Sequence, residues 1–191
     1  MSVVFVACNR NADLIRALKG EGILKDLGNI INDEKTDTLI NLYEGKEHWY
    51  FEIWRYDQDY ECIVPKSVPK DLAIDMVLSK ELKSDVEFLK ERCEIDYEMC
   101  KTECVRDLEI CLKYAENEED KSVCDREFNN CLDRCREEYK ECISRIEDTD
   151  VYKNWIDANE KLRKNRILFV GCYDGDEVGH PDIDEICVFR Y

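Results

Sequence analysis

The chain opens on a continuous apolar run, residues 2–8 (SVVFVAC), which predicts a strand covered on both faces. Asn9 or Asn11 can cap a helix that runs to about Lys19, where Gly20 and Gly22 end it, and the apolar spacing predicts a second helical piece over 23–31. Residues 37–44 and 47–56 flank Glu44-Gly45-Lys46, a hairpin signal, and Tyr60 to Val64 read as a short strand stopped by Pro65. From Pro69, which suits a first helical turn, the 3.6-residue pattern runs unbroken to about 115 and resumes from about 120 to 164 with a break near Thr149. Strands over 166–173 and 184–190 close the chain around the polar loop DGDEVGHPD.

The two ends look alike: VVFVACNRN matches ILFVGCYDG in pattern, and YECIV resembles EICVF. The expected fold is therefore α+β, a small mixed sheet built from N- and C-terminal strands with flanking helices, with a long antiparallel helical hairpin inserted. The expected boundaries are a discontinuous body over 1–68 and 166–191 and a helical arm over 69–165 containing the hairpin 93–142.

Twelve cysteines in 191 residues change the picture. Cys93, Cys100, Cys104 and Cys111 are spaced 7, 4 and 7 apart, and Cys124, Cys131, Cys135 and Cys142 repeat the same gaps. That spacing is its own mirror image, so two antiparallel helices folded about the midpoint between Asn117 and Glu118 place each cysteine opposite one partner. On a helix the four positions fall within about 20° of one line. The predicted bridges are Cys93–Cys142, Cys100–Cys135, Cys104–Cys131 and Cys111–Cys124. Leu82, Val86 and Leu89 extend the stripe on one side and Ile146 on the other. The helix from Cys93 to Cys111 rises about 27 Å, and the seam has few large apolar residues, so the expectation is an arm that projects from the body. One bridge around about 15 residues is worth roughly 3 kcal/mol, and bridges nested outside it add less. Zinc held by the two C-x3-C pairs is the competing reading, but it gives the outer cysteines no reason for their mirrored spacing. The inner unit, Cys100, Cys104, Cys131 and Cys135, resembles the plant α-hairpinin scaffold over about 36 residues. That resemblance implies architecture alone. For the remaining four cysteines the expectation is Cys8 with Cys172 and Cys62 with Cys187, one of three possible connectivities.

Composition bears on habitat and partners. A single glutamine (Gln58), four threonines and 38% charged residues rich in Glu and Lys match the hyperthermophile signal, and hyperthermophiles keep disulfides inside their cells. The expected setting is the cytoplasm of a hyperthermophile, or of the host cell if the chain belongs to a virus or plasmid, with secretion the alternative. The start, MSVVFVACNR, has no basic segment ahead of its short apolar run and reads as a strand, not a signal peptide. No apolar run approaches the length of a membrane span. The net charge of −17, with −8 of it over 93–142 from 16 acidic and 8 basic residues, argues against direct contact with nucleic acid or an anionic membrane.

Candidate chemistry is sparse. Asp174, Asp176 and Glu177, with His180 and Asp182 behind them, follow a strand and could hold Mg²⁺ for phosphoryl chemistry, with Glu52 across the sheet. In so acidic a chain the plainer reading is a solvated turn. Cys172, His180 and Asp182 could form a nucleophilic set, but Cys172 reads better as structural. Strand 47–56 carries two faces: Trp49, Phe51 and Ile53 on one, and His48, Tyr50, Glu52, Trp54 and Tyr56 on the other. The second is either a recognition surface, with Tyr50, Trp54 and Tyr56 as its aromatic contacts, or a face that helices cover. No Walker A, H-E-x-x-H or G-x-S-x-G occurs. The sequence implies no cofactor, no resident metal and no identifiable small molecule, and it leans away from an enzyme. The leading expectation is a structural or interaction protein whose rigid acidic hairpin meets another protein or a second copy. An acidic mimic of nucleic acid that blocks a basic protein is the alternative, and a divalent-metal hydrolase or nuclease comes third.

Overall fold

Seven strands pair antiparallel into one sheet in a computed structural model that describes residues 2–10, 13–55 and 58–190. The elements follow as β1 (Val3–Arg10), α1 (Asp13–Gly20), β2 (Lys25–Asp33), β3 (Thr38–Glu44), β4 (His48–Arg55), β5 (Gln58–Pro65), α2 (Lys70–Tyr114), α3 (Glu118–Glu147), α4 (Asp150–Lys164), β6 (Leu168–Asp174) and β7 (Glu185–Arg190). The sheet order is β2-β3-β4-β5-β1-β7-β6. The α+β architecture expected from the pattern is present, and β1 lies beside C-terminal β7. The sheet is antiparallel throughout and takes in the middle strands as well.

The piece expected as helix over 23–31 is instead β2. Its pairing with β3 slips twice, between Asp26 and Gly28 and between Asn29 and Ile31. Each bulge adds a residue to one strand and turns an alternating face into one spaced by three or four. Ile23, Leu27, Ile30 and Ile31 therefore imitate a helical stripe.

The chain divides into two compact units, 1–85 with 149–191, and 86–148. The first unit keeps the early turns of α2 and all of α4, which the sequence boundaries of 69 and 165 assign to the arm. Packing is the reason: Ala73, Met76, Val77 and Leu82 of α2, and Val151, Ala158 and Leu162 of α4, are buried among the body's apolar side chains. On the α2 side of the sheet the core holds Val4, Val6, Ile40, Phe51, Ile53, Val64 and Phe189. Thr149 caps α4, accepting from the Tyr152 amide at 3.1 Å, while buried Asp33 of β2 accepts from the Val151 amide at 3.1 Å. The expected break near Thr149 is thus a cap that turns the chain back to the sheet. The amides at the start of α1 meet Glu61, whose Oε2 accepts from Ile15 N at 2.9 Å.

In the second unit, α2 and α3 form the hairpin. Asn117 caps α3 by accepting from Asp120 N, and Asp120 reaches back to Glu116 N at 3.0 Å. Four bridges join Cys93–Cys142, Cys100–Cys135, Cys104–Cys131 and Cys111–Cys124, with Cα separations of 5.8–5.9 Å. This is the mirrored pairing read from the spacing. The two 7-residue gaps differ: the Tyr97 and Tyr139 rings lie 5.2 Å apart and fill one, whereas Leu108 and Phe128, both half-buried, line a cavity of about 200 Å³ in the other. With these included, α2 reads Cys93, Tyr97, Cys100, Cys104, Leu108, Cys111, in steps of 4, 3, 4, 4 and 3. The period is 11 residues over three turns, close to the natural pitch of a helix, so the stripe barely drifts. That is why bridges at both ends of the seam reach their partners.

The other two bridges correct the expected pairing. Cys8 joins Cys62 and Cys172 joins Cys187, with Cα separations of 4.1 and 4.0 Å. Each links directly opposed residues, Cys8 with Cys62 between β1 and β5 and Cys172 with Cys187 between β6 and β7. The expected Cys8–Cys172 pair fails because β7 stands between β1 and β6. No cysteine is free, and among the described residues no helix is long and apolar enough to cross a membrane.

Candidate functional site

The hairpin presents an apolar stripe away from its own seam. Phe88, Ile95 and Met99 of α2 recur at helical spacing, about 140° around the helix from the cysteine line. They are 47%, 52% and 56% exposed, high for side chains of this size. Glu91, Glu94 and Glu98 border the stripe on one side and Glu103 on the other, and with Ile95, Met99 and Thr102 they line a shallow open groove. Glu98 is paired with Lys101, and the remaining surface is dressed with short-range ion pairs such as Lys121–Glu118, Arg136–Asp133 and Lys140–Glu137. Such exposed pairs contribute little to stability. Their effect is to leave the apolar stripe set in a charged surface.

The body carries a buried charged cluster between α2 and the sheet. Glu81, 2% exposed in its side chain, is met by the Tyr60 hydroxyl, by Lys80 Nζ at 2.6 Å and by Arg55 Nη2 at 3.6 Å. Arg55 Nε lies 2.9 Å from Asp85 Oδ1, and Lys80 Nζ also lies 2.5 Å from Glu185 Oε2. Three carboxyls therefore share two cations. Burial, opposed by the Arg55 charge, pushes Glu81 up to about 8, so the most enclosed carboxyl keeps its proton at neutral pH and the cluster is balanced. Burial lowers Lys80 in turn. One Glu81 oxygen lies 3.4 Å from Cys62 Sγ. Carboxylate and sulfur atoms lie within 4.8 Å of one another in two sets: Cys8, Cys62 and Glu81, and Cys172, Cys187 and Glu185. Val6 faces Cys187 across β1 and β7, and Cys8 is two residues along from Val6, so all four cysteines sit on one face of four neighbouring strands.

The opposite face carries α1 and the second face of β4. Glu52 is buried, accepts from Tyr43 Oη at 2.8 Å and Asn41 Nδ2 at 3.3 Å, and lies 3.6 Å from Lys19 Nζ. Tyr50 is half-buried, with His48 edge-on to its ring, Trp54 is 40% exposed, and Tyr56 lies outside the described residues. This face is thus covered at Glu52 and half-covered at Tyr50, and open at Trp54. Across β1, β7 and β6 it continues into exposed Phe5, Val3, Tyr173 and Leu168.

The acidic loop serves its own turn. Asp174 Oδ1 accepts from Asp176 N at 2.9 Å, His180 N donates to Gly175 O at 2.7 Å, and Asp184 ties the loop to β1 through Arg10 N at 2.5 Å and Asn9 Oδ1 at 3.1 Å. Gly175 is required here, since a Cβ would stand 1.6 Å from the Ile183 carbonyl oxygen. Asp174, Asp176 and His180 are exposed, and among the described residues they join no cluster of three ligand atoms. Glu52 on β4 is four strands from Asp174 on β6, about 19 Å across the sheet. The structure does not bring those candidates together.

Two features escape the sequence reading. Glu81 stands in a helical row with Val77, Leu78 and Leu82, and a lone carboxyl in an apolar row signals burial. Phe88, Ile95 and Met99 share a helix with the cysteine stripe, whose stronger periodicity masks theirs. Comparison with protein-family models, curated proteins and solved structures finds no match to this chain.

Proposed function

We propose that the protein is a structural or interaction protein that presents its acidic, disulfide-stapled hairpin to a protein partner. The observation that carries this reading is the Phe88–Ile95–Met99 stripe, held exposed on a helix whose opposite side is locked by four bridges. Large apolar side chains grouped on a polar surface mark contact sites, and a rigid helix loses little entropy on binding. Charge names the partner's chemistry. Bordering Glu91, Glu94 and Glu103, beside Glu98 that Lys101 already meets, call for a basic rim around an apolar centre, as an amphipathic basic helix provides. The stripe favours this over mimicry of nucleic acid, because a mimic needs spaced carboxylates and no apolar strip.

The setting we infer is the cytoplasm of a hyperthermophile, or of the host of its virus or plasmid, with secretion the alternative. Six bridges together with the excess of Glu and Lys support it. The test is affinity capture of a partner on the intact protein and on the double variant Ile95→Glu/Met99→Glu, over a range of salt, with the captured protein identified and its direct binding measured. A basic partner that the double variant loses, and that weakens as salt rises, supports the proposal. Binding indifferent to both the substitutions and salt overturns it.

A further inference from the structure

We propose that the Cys172–Cys187 bridge is a thiol–disulfide exchange site whose substrate is an external dithiol, with Glu185 and Lys80 moving the proton. Cys172 is half-exposed on β6, an edge strand paired only with β7, whereas Cys187 is fully buried. An incoming thiolate therefore has one sulfur to attack and one to displace. The bridge links residues that the β6–β7 ladder already holds opposite each other, so it adds little closure of its own and can open without releasing the rest of the sheet.

Exchange leaves a thiolate on Cys187, which burial disfavours, and a proton must reach it. A Glu185 oxygen lies within 4.8 Å of both sulfurs, and Lys80 Nζ lies 2.5 Å from Glu185 Oε2. The proton passes from Lys80 to the Glu185 carboxyl and from there, over a separation of up to 4.8 Å that one water spans, to Cys187 Sγ, and half-exposed Glu185 opens the path to that water. Burial eases loss of the Lys80 proton. The first thiolate of the dithiol bonds to Cys172 Sγ as the Cys172–Cys187 bond breaks. Its second thiolate then displaces Cys172, which is half-exposed and takes its proton from water, so the products are an oxidised dithiol and two cysteine thiols, the dithiol's own two protons having gone to solvent. The other bridges lack the combination: Cys8 and Cys62 are both buried, and among the described residues the ligand-atom cluster along the hairpin seam contains sulfur alone.

Limited reduction of the folded protein with dithiothreitol, quenched by alkylation and mapped by mass spectrometry, tests this. The expected result is that Cys172 and Cys187 are labelled about tenfold faster than any other pair, and that Glu185→Gln slows the labelling and changes its pH dependence. Lys80→Met should slow it likewise, with Lys80→Arg, which keeps the charge in the cluster, recovering the fold but not the proton transfer. Glu185 is 40% exposed in its side chain, so its variant keeps the test open should the Lys80 variants misfold. Earlier opening of any other bridge, or an unchanged rate and pH profile in Glu185→Gln, overturns the proposal.

Discussion

Glu81 shows how one side chain sets a pH dependence for the whole body. Its carboxyl titrates near 4.5 when unfolded and near 8 when folded, because burial penalises the charged form. Between those values the folded state binds the extra proton, so stability is full below about pH 4.5 and falls as pH rises toward 8, by on the order of 5 kcal/mol. Asp75, raised by burial to about 6, adds to the same decline at its acidic end. Denaturant titrations from pH 4 to 9 should show this slope, and Glu81→Gln should flatten it; a variant with the parent's slope contradicts the assignment. Gly175 makes a second prediction at this scale. A Cβ at this position would overlap the Ile183 carbonyl, so Gly175→Ala forces the β6–β7 turn apart at a cost of about 1–3 kcal/mol, read from the unfolding midpoint.

Among the elements, the hairpin was the most legible and β2 the least. The seam could be read because a disulfide demands a fixed Cα separation, and a mirrored spacing meets that demand at four places only for antiparallel helices. What the cysteine positions did not reveal is what lies between them: Tyr97 packs on Tyr139 in one gap, and Leu108 and Phe128 line a cavity in the other, at positions that complete the 11-residue period. β2 was lost to its two bulges, which replace strand alternation by helical spacing. The pairings of Cys8, Cys62, Cys172 and Cys187 were equally out of reach, because they depend on strand order, and likeness between the chain ends says nothing of which strand lies between. Each hairpin bridge, given its inner neighbour, closes about 8 to 14 residues and contributes about 2.5–3 kcal/mol in the chain-entropy model. Replacing Cys100 and Cys135 by alanine should lower the hairpin's stability by that order, measured by its thermal loss of helical circular dichroism. No change would mean that the Tyr97–Tyr139 contact and the flanking bridges already fix the seam.

At the scale of the whole molecule, the two units are stabilised by different means. The body has a conventional core around Phe51, Met76 and Phe189, whereas the hairpin replaces most of its core with sulfur. That division predicts two responses to complete reduction: helical signal from 86–148 is lost, while the near-ultraviolet signal of the body's packed aromatic residues persists. It also predicts that Ile95→Glu/Met99→Glu leaves the melting temperature nearly unchanged, since exposed substitutions shift stability by only about 0.5 kcal/mol, while removing the apolar contact on which binding is proposed to depend. The most direct measurement is a non-reducing peptide map with intact mass before and after reduction. The expected result is a gain of about two mass units per bridge on reduction, six bridges in all, with cross-linked peptides joining Cys93–Cys142, Cys100–Cys135, Cys104–Cys131, Cys111–Cys124, Cys8–Cys62 and Cys172–Cys187. Free thiols carrying zinc in the hairpin, or any pairing that breaks its mirrored order, would contradict it.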